Sequence, residues 1–323
     1  MSKLDIRAKS SGSEPGADVS AEILRGVRMG TPIAFTALGG MTSERSGVNN
    51  IGLEGIMTAS AFGAAVGSYM FQNAWMGIVF AILVGVVISA IHSLVCITWG
   101  GNQSVSSMAL VLLSTGISGV GLKALFNQQG SSPQVPSLPT TTPLQHIPVI
   151  GGFLSQQSPF VYILFGCLIL VWFLFKHTRL GLRIVTVGEN PKAAETAGLS
   201  VHRLRYFSVI FSGVMGGLGG AMLSIGSMNL FQDGMVAGRG YLALGAVTMG
   251  RWNTLGVFGS AMFFGFFSAL QLYLQSISVP IPTEFVQMIP YVATVIVLAL
   301  SASKKNAGIA AGGQPYTKFV QQR

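Results

Sequence analysis

The sequence predicts an all-α, polytopic membrane protein with about nine transmembrane helices (eight to ten), with discontinuous helices and an inverted repeat. Half of the 323 residues are hydrophobic and only 9% are charged, whereas soluble domains carry about 25% Asp, Glu, Lys and Arg. Apolar runs of roughly 16 to 25 residues recur, and roughly 20 apolar residues cross a bilayer as a helix. The basic residues gather between these runs, which favours a membrane protein over a nucleic-acid-binding one. A water-exposed globular domain is excluded.

The apolar runs divide the chain into a membrane domain with two polar tails. Residues 1–22 are polar, lack the pattern of a signal peptide, and are expected to be a disordered tail. Residues 23–301 form the membrane domain, and 302–323 a cytoplasmic C-terminal tail. Nine spans are predicted, at about 23–42, 50–71, 75–99, 104–126, 160–175, 207–226, 229–250, 256–276 and 284–301.

Two long interruptions of opposite chemistry orient these spans. Residues 127–159 contain no Asp, Glu, Lys or Arg but six prolines, which predicts an extracytoplasmic loop without a long helix. Residues 176–205 contain six Lys and Arg against two Glu, which predicts a cytoplasmic loop.

The number of spans before the first interruption decides the side of the N-terminus. Four full crossings before residue 127 place it outside, and this is the topology we favour. The alternative keeps the N-terminus inside, with one early segment re-entrant or a further half-span.

A weak internal repeat fits the nine-span topology. The run from Asn50 to Met57 resembles the run from Asn229 to Val236 at one constant offset, so that Glu54 corresponds to Asp233. In the nine-span topology the two units enter the membrane from opposite sides, as in the inverted repeats of many transporters.

Several enzyme classes are excluded or disfavoured by missing motifs. No Gly-Lys dipeptide occurs, so a P-loop of the form GxxxxGK[ST] is absent and ATP hydrolysis in that manner is excluded. The four histidines lack the spacing of a zinc site, and no serine lies in a GxSxG elbow with an acid and base. We therefore expect no catalytic residues, no metal and no enzyme activity in this chain.

The polar segment around Glu54 is the first candidate site. A carboxylate within a span is costly unless it faces protein or water, and irregular backbone persists at membrane depth only inside protein or along a cavity. This predicts a broken helix on a substrate pathway. Two simpler interpretations explain the same residues: Glu54 lies near the membrane interface and only caps a helix, and Asn102 and Gln103 only begin a helix. The candidate pathway residues are Asn49, Asn50, Glu54, Asn102, Gln103, Asn229 and Asp233.

The second candidate site is a short helix within the cytoplasmic loop. Asn190 suits the N-cap, Pro191 the first helical position and Gly198 the C-terminal end. Such an exposed, alanine-faced helix suits docking into a groove of another protein, whereas a solvated connector is the plainer interpretation.

Three ordered motifs, ERSGVNNIGLEGIM, GLRIVTVGENPKAAETAGL and GMVAGRGYLALGAVTMGRWNTLG, resemble the permease subunits of bacterial nucleoside ABC importers. These permeases are grouped with simple-sugar permeases in the ribose and branched-chain amino-acid permease superfamily, and the resemblance covers about residues 23–301. It implies a multi-pass protein of the bacterial inner membrane. It also implies coupling to an ATPase through Gly188, Glu189, Asn190, Pro191, Ala193, Ala194 and Gly198.

The resemblance further implies partners that this chain lacks. These are a second permease subunit in a heterodimer, a cytoplasmic ATPase that binds ATP and Mg²⁺, and an extracytoplasmic binding lipoprotein that faces the loop 127–159. A simple-sugar permease of the ribose type remains an alternative within the same class. An ion-coupled secondary transporter, with Glu54 at its ion site, is the alternative from another class.

Overall fold

A computed structural model describes residues 15–138, 157–276, single positions between 285 and 299, and 308–316. In these residues every regular element is a helix, apart from one isolated bridge between Ser131 and Gln232, which confirms the all-helical fold class. The helices are α1 Pro15–Arg45, α2 Leu53–Phe71, α3 Ala74–Ser93, α4 Gln103–Phe126, α5 Pro159–His177, α6 Arg179–Glu189, α7 Pro191–Thr196, α8 Val201–Leu223, α9 Arg239–Met249 and α10 Thr254–Ser276. Short π-helical turns continue α3 (Leu94–Thr98) and α8 (Ser224–Met228).

Five of the described helices are long and apolar enough to cross a membrane. They are Ala74–Thr98, Gln103–Phe126, Pro159–His177, Val201–Met228 and Thr254–Gln275. The predicted last span, 284–301, lies mostly outside the described residues, although its described positions are largely helical. The multi-pass membrane protein predicted from composition is confirmed.

Helix α2 is the centre of the bundle, since 15 of its 19 residues are buried. It packs against α3, α4 and α8, and α1 packs against α8 and α10. Small residues permit the closest approaches: Gly85 of α3 and Gly213 of α8 each contact the other's carbonyl, with no space for a side chain. Such small-residue contacts are typical of helices in membranes, where backbones approach closely.

Contacts between loops define two ends of the bundle. The carbonyl of Leu24, in the N-terminal half of α1, accepts a hydrogen bond from the side chain of Gln157, which lies just before α5. The other end of α1, at Arg45, lies against Gly188. We call the end with residues 178–200 the loop end and the other the opposite end. The N-terminal half of α1, at Leu24, and the end of the predicted extracytoplasmic loop, at Gln157, therefore share the opposite end.

Two predicted boundaries are wrong. Helix α1 begins at Pro15, so residues 15–22 are helical and not a disordered tail. The reason is local: proline suits the first helical position, and Ala17, Ala21 and Glu22 are good helix formers. The span 229–250 is not a continuous helix, because residues 229–238 form turns and α9 has only 11 residues. Its length of about 16 Å is half of the ≈ 30 Å hydrocarbon core.

The α3–α8 contact gives a test of the packing. We expect Gly213→Ala to destabilise the protein by about 1–3 kcal/mol, because the new methyl group meets the backbone of Gly85 and the side chain of Ser89. Gly166→Ala is the control, since a Cβ at Gly166 has open space. Thermal unfolding of both variants in detergent measures the difference. Equal melting temperatures would contradict this packing.

Candidate translocation and coupling sites

The N-terminal ends of α2 and α9 meet inside the bundle. Glu54 is the second residue of α2, and Gly240 is the second residue of α9. Gly240 lies so close to the backbone of Glu54 that a side chain at this position would have no space. Both helix ends carry partial positive charge, because their first N–H groups have no partner within the helix.

The carboxylate of Glu54 bonds to the N-terminal end of α9. One carboxylate oxygen accepts a hydrogen bond from the N–H of Gly238 at 2.8 Å, and the other from the N–H of Gly240 at 2.7 Å. The side chain is only 9% exposed, so these charge-assisted bonds lie in the protein interior. Glu54 therefore caps a neighbouring half-helix, which combines the two sequence interpretations: a broken helix and a cap.

Arg239 fixes the turn that precedes α9. Its guanidinium donates hydrogen bonds to the carbonyls of Met235 at 2.9 Å and Val236 at 3.1 Å, and its charge attracts the carboxylate of Glu54. Gly238 has a φ of +80°, a conformation that glycine adopts without strain. The backbone before α9 is thus held by side chains as well as by Glu54.

Asn229 and Asp233 lie elsewhere, at the opposite end of the bundle. The carbonyl of Asn229 accepts a hydrogen bond from the N–H of Val135 at 2.8 Å, and the N–H of Asp233 donates to Gly130 at 2.8 Å. The side chain of Asp233 is exposed. Asp233 precedes α9 by six residues, whereas Glu54 lies within α2, so the ungapped correspondence between the two is wrong.

A buried polar cluster lies on the loop end of α2. The N–H of Asn49 donates to Gln103 at 2.7 Å, and the amide of Asn50 donates to Ser212 at 3.0 Å. Among the described residues, the Asn50 Oδ1, Gln103 Nε2 and Ser107 Oγ atoms are buried without a hydrogen-bond partner. Three predicted pathway residues, Asn49, Asn50 and Gln103, therefore come together, and Asn50 and Gln103 retain buried polar atoms without a partner in the described part of the chain.

Sequence analysis missed other members of this cluster. The Nδ1 atom of His92 lies 3.0 Å from the hydroxyl of Ser106, and Ser212 was not singled out. These residues lie on α3, α4 and α8, so only the packing of the helices brings them together. Asn102 instead caps α4, with its side-chain oxygen accepting from the N–H groups of Ser104 and Val105.

The short helix predicted after Asn190 is present as α7, Pro191–Thr196. The side-chain oxygen of Asn190 accepts from the N–H of Ala193 at 3.0 Å, Pro191 is the first helical residue, and Gly198 has a φ of +80° after the helix end. The preceding helix α6, which we did not predict, is capped by Thr178, whose hydroxyl accepts from the N–H of Gly181.

One face of this segment is exposed and the other is anchored. Glu189, Asn190, Ala193 and Gly198 are exposed. Ala194 is buried in a cluster with Val187 and Val201, and Gly188 contacts the carbonyl of Arg45. The segment therefore presents a free surface on a rigid support.

The loop end is closed by further polar contacts. The indole N–H of Trp252 donates to the carboxylate of Glu44 at 2.6 Å, and the guanidinium of Arg45 donates to the carbonyl of Trp252 at 2.6 and 2.9 Å. Arg45 also lies over the ring of Phe175 at 5.5 Å. These contacts join the ends of α1, α5 and α9.

The cap on α9 gives a second test. We expect Glu54→Gln to lower the stability of the protein by about 1.5–3 kcal/mol, because the amide group of glutamine offers one acceptor oxygen for two N–H groups and carries no charge. Asp233→Asn is the control, since this exposed side chain does not cap a helix. Thermal unfolding in detergent compares them, and an equal loss in both variants would contradict the capping role.

Comparison with known proteins gives a family and several relatives. Residues 22–298 match the family described as branched-chain amino acid transport system / permease component. The nucleoside ABC transporter permease NupC of Lactococcus lactis is 38% identical over 87% of this chain and 92% of its own. The guanosine ABC transporter permease NupQ of Bacillus subtilis is 35% identical over 89% and 93%.

Other relatives carry a different substrate name or match only in part. The putative glucose ABC transporter permease TsgC13 of Haloferax volcanii is 34% identical over 78% of this chain and 77% of its own. The nucleoside permease NupB, from the same Lactococcus lactis as NupC, is 31% identical over 30% of this chain. No solved structure matches the chain. Because the family match spans most of the residues, this chain belongs to the permease components of the branched-chain amino acid transport system family.

Proposed function

We propose that this chain is the transmembrane permease subunit of an ATP-binding-cassette importer that takes up nucleosides across the bacterial inner membrane. The observation that carries the proposal is α7, a short, capped and exposed helix held on a rigid support at one end of the bundle. An importer whose ATPase is a separate chain needs such a surface. The names of NupC and NupQ support the nucleoside as substrate.

The partners follow from this role. A cytoplasmic ATPase would bind ATP and Mg²⁺ and receive α7. A second permease would complete the pathway, as the occurrence of NupB and NupC in one organism supports. A binding lipoprotein would deliver the nucleoside at the opposite end, where residues 130–135 pair with 229–233.

The candidate pathway lies beside α2. Asn50, Gln103 and Ser107 offer buried polar atoms without protein partners, and such atoms suit hydrogen bonds to a polar solute such as a nucleoside. The half-helix α9 lies on the other side of Glu54. In this proposal the broken helix and the polar cluster form the part of the pathway that this subunit supplies.

Two alternatives receive less support. An ion-coupled transporter would use Glu54 as an ion ligand, but both carboxylate oxygens already accept backbone hydrogen bonds. A sugar permease is supported by the names of TsgC13, at 34% identity, and TsgB13 of the same organism, at 24%, whereas NupC and NupQ, at 38% and 35%, are named for nucleosides.

Coupling is tested at the exposed face of α7. We expect Ala193→Arg, and the double variant Glu189→Arg with Pro191→Gly, to reduce nucleoside uptake by at least tenfold with normal membrane levels. The arginine at position 193 would obstruct docking without touching the buried residues below it. Arg203→Glu is the control, as an exposed charge reversal outside α7. Uptake of labelled guanosine by cells with the intact system is the measurement; full uptake in both α7 variants would reject the coupling role.

Substrate class is tested by competition. We expect excess unlabelled adenosine or inosine to reduce uptake of labelled guanosine, and excess glucose or ribose to leave it unchanged. Competition by the sugars alone would favour the sugar permease. Uptake that survives removal of the ATPase but stops with an uncoupler would favour the ion-coupled transporter.

A further inference from the structure

Residues 308–316, which we call the C-terminal strap, lie across the loop end. The N–H of Ala311 donates to the carbonyl of Gly188 at 3.0 Å, and the N–H of Gly313 donates to the carbonyl of Gly47 at 3.2 Å. Gly188 belongs to α6, and Gly47 belongs to the α1–α2 turn, residues 46–52. The strap therefore bridges α6, which leads into α7, and the α1–α2 turn, which leads directly to Glu54.

Tyr316 holds the far end of the strap on α7. Its hydroxyl donates a hydrogen bond to the carboxylate of Glu195, and its ring lies against the ring of His202 at 5.5 Å. Partial burial, together with the hydrogen bond and charge of Glu195, raises the pKa of Tyr316 to about 12. The hydroxyl is therefore neutral and able to donate at any physiological pH.

Arg205, near the start of α8, joins the strap to the α1–α2 turn. Its Nε atom donates to the carbonyl of Ser46 in the α1–α2 turn at 3.2 Å, and a terminal nitrogen donates to Gln314 of the strap at 3.3 Å. The guanidinium also lies 5.7 Å from the ring of Tyr316. Arg205 is only 1% exposed, and a buried charge with several acceptors is costly to move.

These contacts have a mechanical consequence. Helix α7 has six residues, too few to be stable alone, so its position depends on what it packs against. The strap connects α7 to the α1–α2 turn, because Tyr316 bonds to Glu195 of α7 and Gly313 bonds to Gly47 of the turn. Arg205 bonds to both the strap and the turn. These bonds give a path of direct contacts from α7 to the turn.

We propose that Tyr316 and Arg205 are positioning residues for energy coupling, which fasten α7 to the α1–α2 turn through the C-terminal strap. The proposal rests on the proposed function, since it assumes that an ATPase moves α7. The movement would reach Glu54 and the N-terminal end of α9 through the turn. The strap remains attached throughout the transport cycle.

The test uses the complete transporter in proteoliposomes and measures guanosine transported per ATP hydrolysed. Tyr316→Phe removes only the hydroxyl that bonds to Glu195, and we expect this ratio to fall by about tenfold, the effect of one hydrogen bond to a charged group. Glu195→Ala, which removes the acceptor, should have a similar effect, and the double variant should be no worse than either single one. Tyr206→Phe is the matched control, because it removes a hydroxyl that bonds to Thr98 at the same end.

The ratio separates positioning from a merely structural role. A variant that only reduces folding lowers transport and hydrolysis together and leaves the ratio unchanged. If Ala193→Arg abolishes uptake while Tyr316→Phe keeps a normal ratio, the coupling role of α7 stands and the strap proposal fails. If neither variant changes uptake or the ratio, both proposals fail.

A cross-link tests whether the strap must detach. In a variant with Glu195→Cys, Tyr316→Cys, Cys96→Ala and Cys167→Ala, a short bismaleimide can join the two new thiols. We expect the cross-linked transporter to recover the coupling ratio relative to the same protein treated with a monofunctional maleimide. Loss of transport on cross-linking would overturn the proposal, since it would show that the strap is released during the cycle.

Discussion

The hydrogen bonds between the Glu54 carboxylate and α9 are the constraint on which the interior of this protein depends. In a membrane, every backbone N–H must find its partner within the protein. The segment 229–238 runs from the opposite end of the bundle to the start of α9 without forming a helix, so its last N–H groups and the first ones of α9 need other acceptors. Glu54 supplies two of them, and its charge complements the positive ends of two helices.

Helix α9 is held at both ends by residues distant in sequence. Before α9, the segment 229–233 pairs with residues 130–135 at the opposite end. After α9, Trp252 bonds to Glu44 and Arg45 at the end of α1. Contacts at both ends thus fix the position of this short helix relative to α1 and to residues 130–135.

The loop end behaves as one assembly in which α6, α7, the α1–α2 turn and the C-terminal strap contact one another. Glycines with no space for a side chain, Gly188 against Arg45 and Gly47 beside Arg205, make this contact close. Since Glu54 follows the turn by two residues, the assembly connects the proposed ATPase-docking surface to the broken helix. In the proposed function, energy coupling depends on how rigid these backbone contacts are.

The sequence alone determined the elements whose signals are local. Apolar length located most spans to within a few residues, and Asn190, Pro191 and Gly198 located α7, because hydropathy and capping depend on neighbours in the chain.

Only the tertiary structure decided what depends on distant residues. It showed that Glu54 caps α9, that Asp233 is not its counterpart, and that Asn50 and Gln103 join Ser212 in a buried cluster. It also showed that the predicted span 229–250 contains only the half-helix α9 and that the C-terminal strap contacts α7. Apolar composition is the same for a full span and for a half-helix inside protein, since both need only an apolar environment and internal hydrogen-bond partners. Those partners are fixed by packing, which a single sequence does not display.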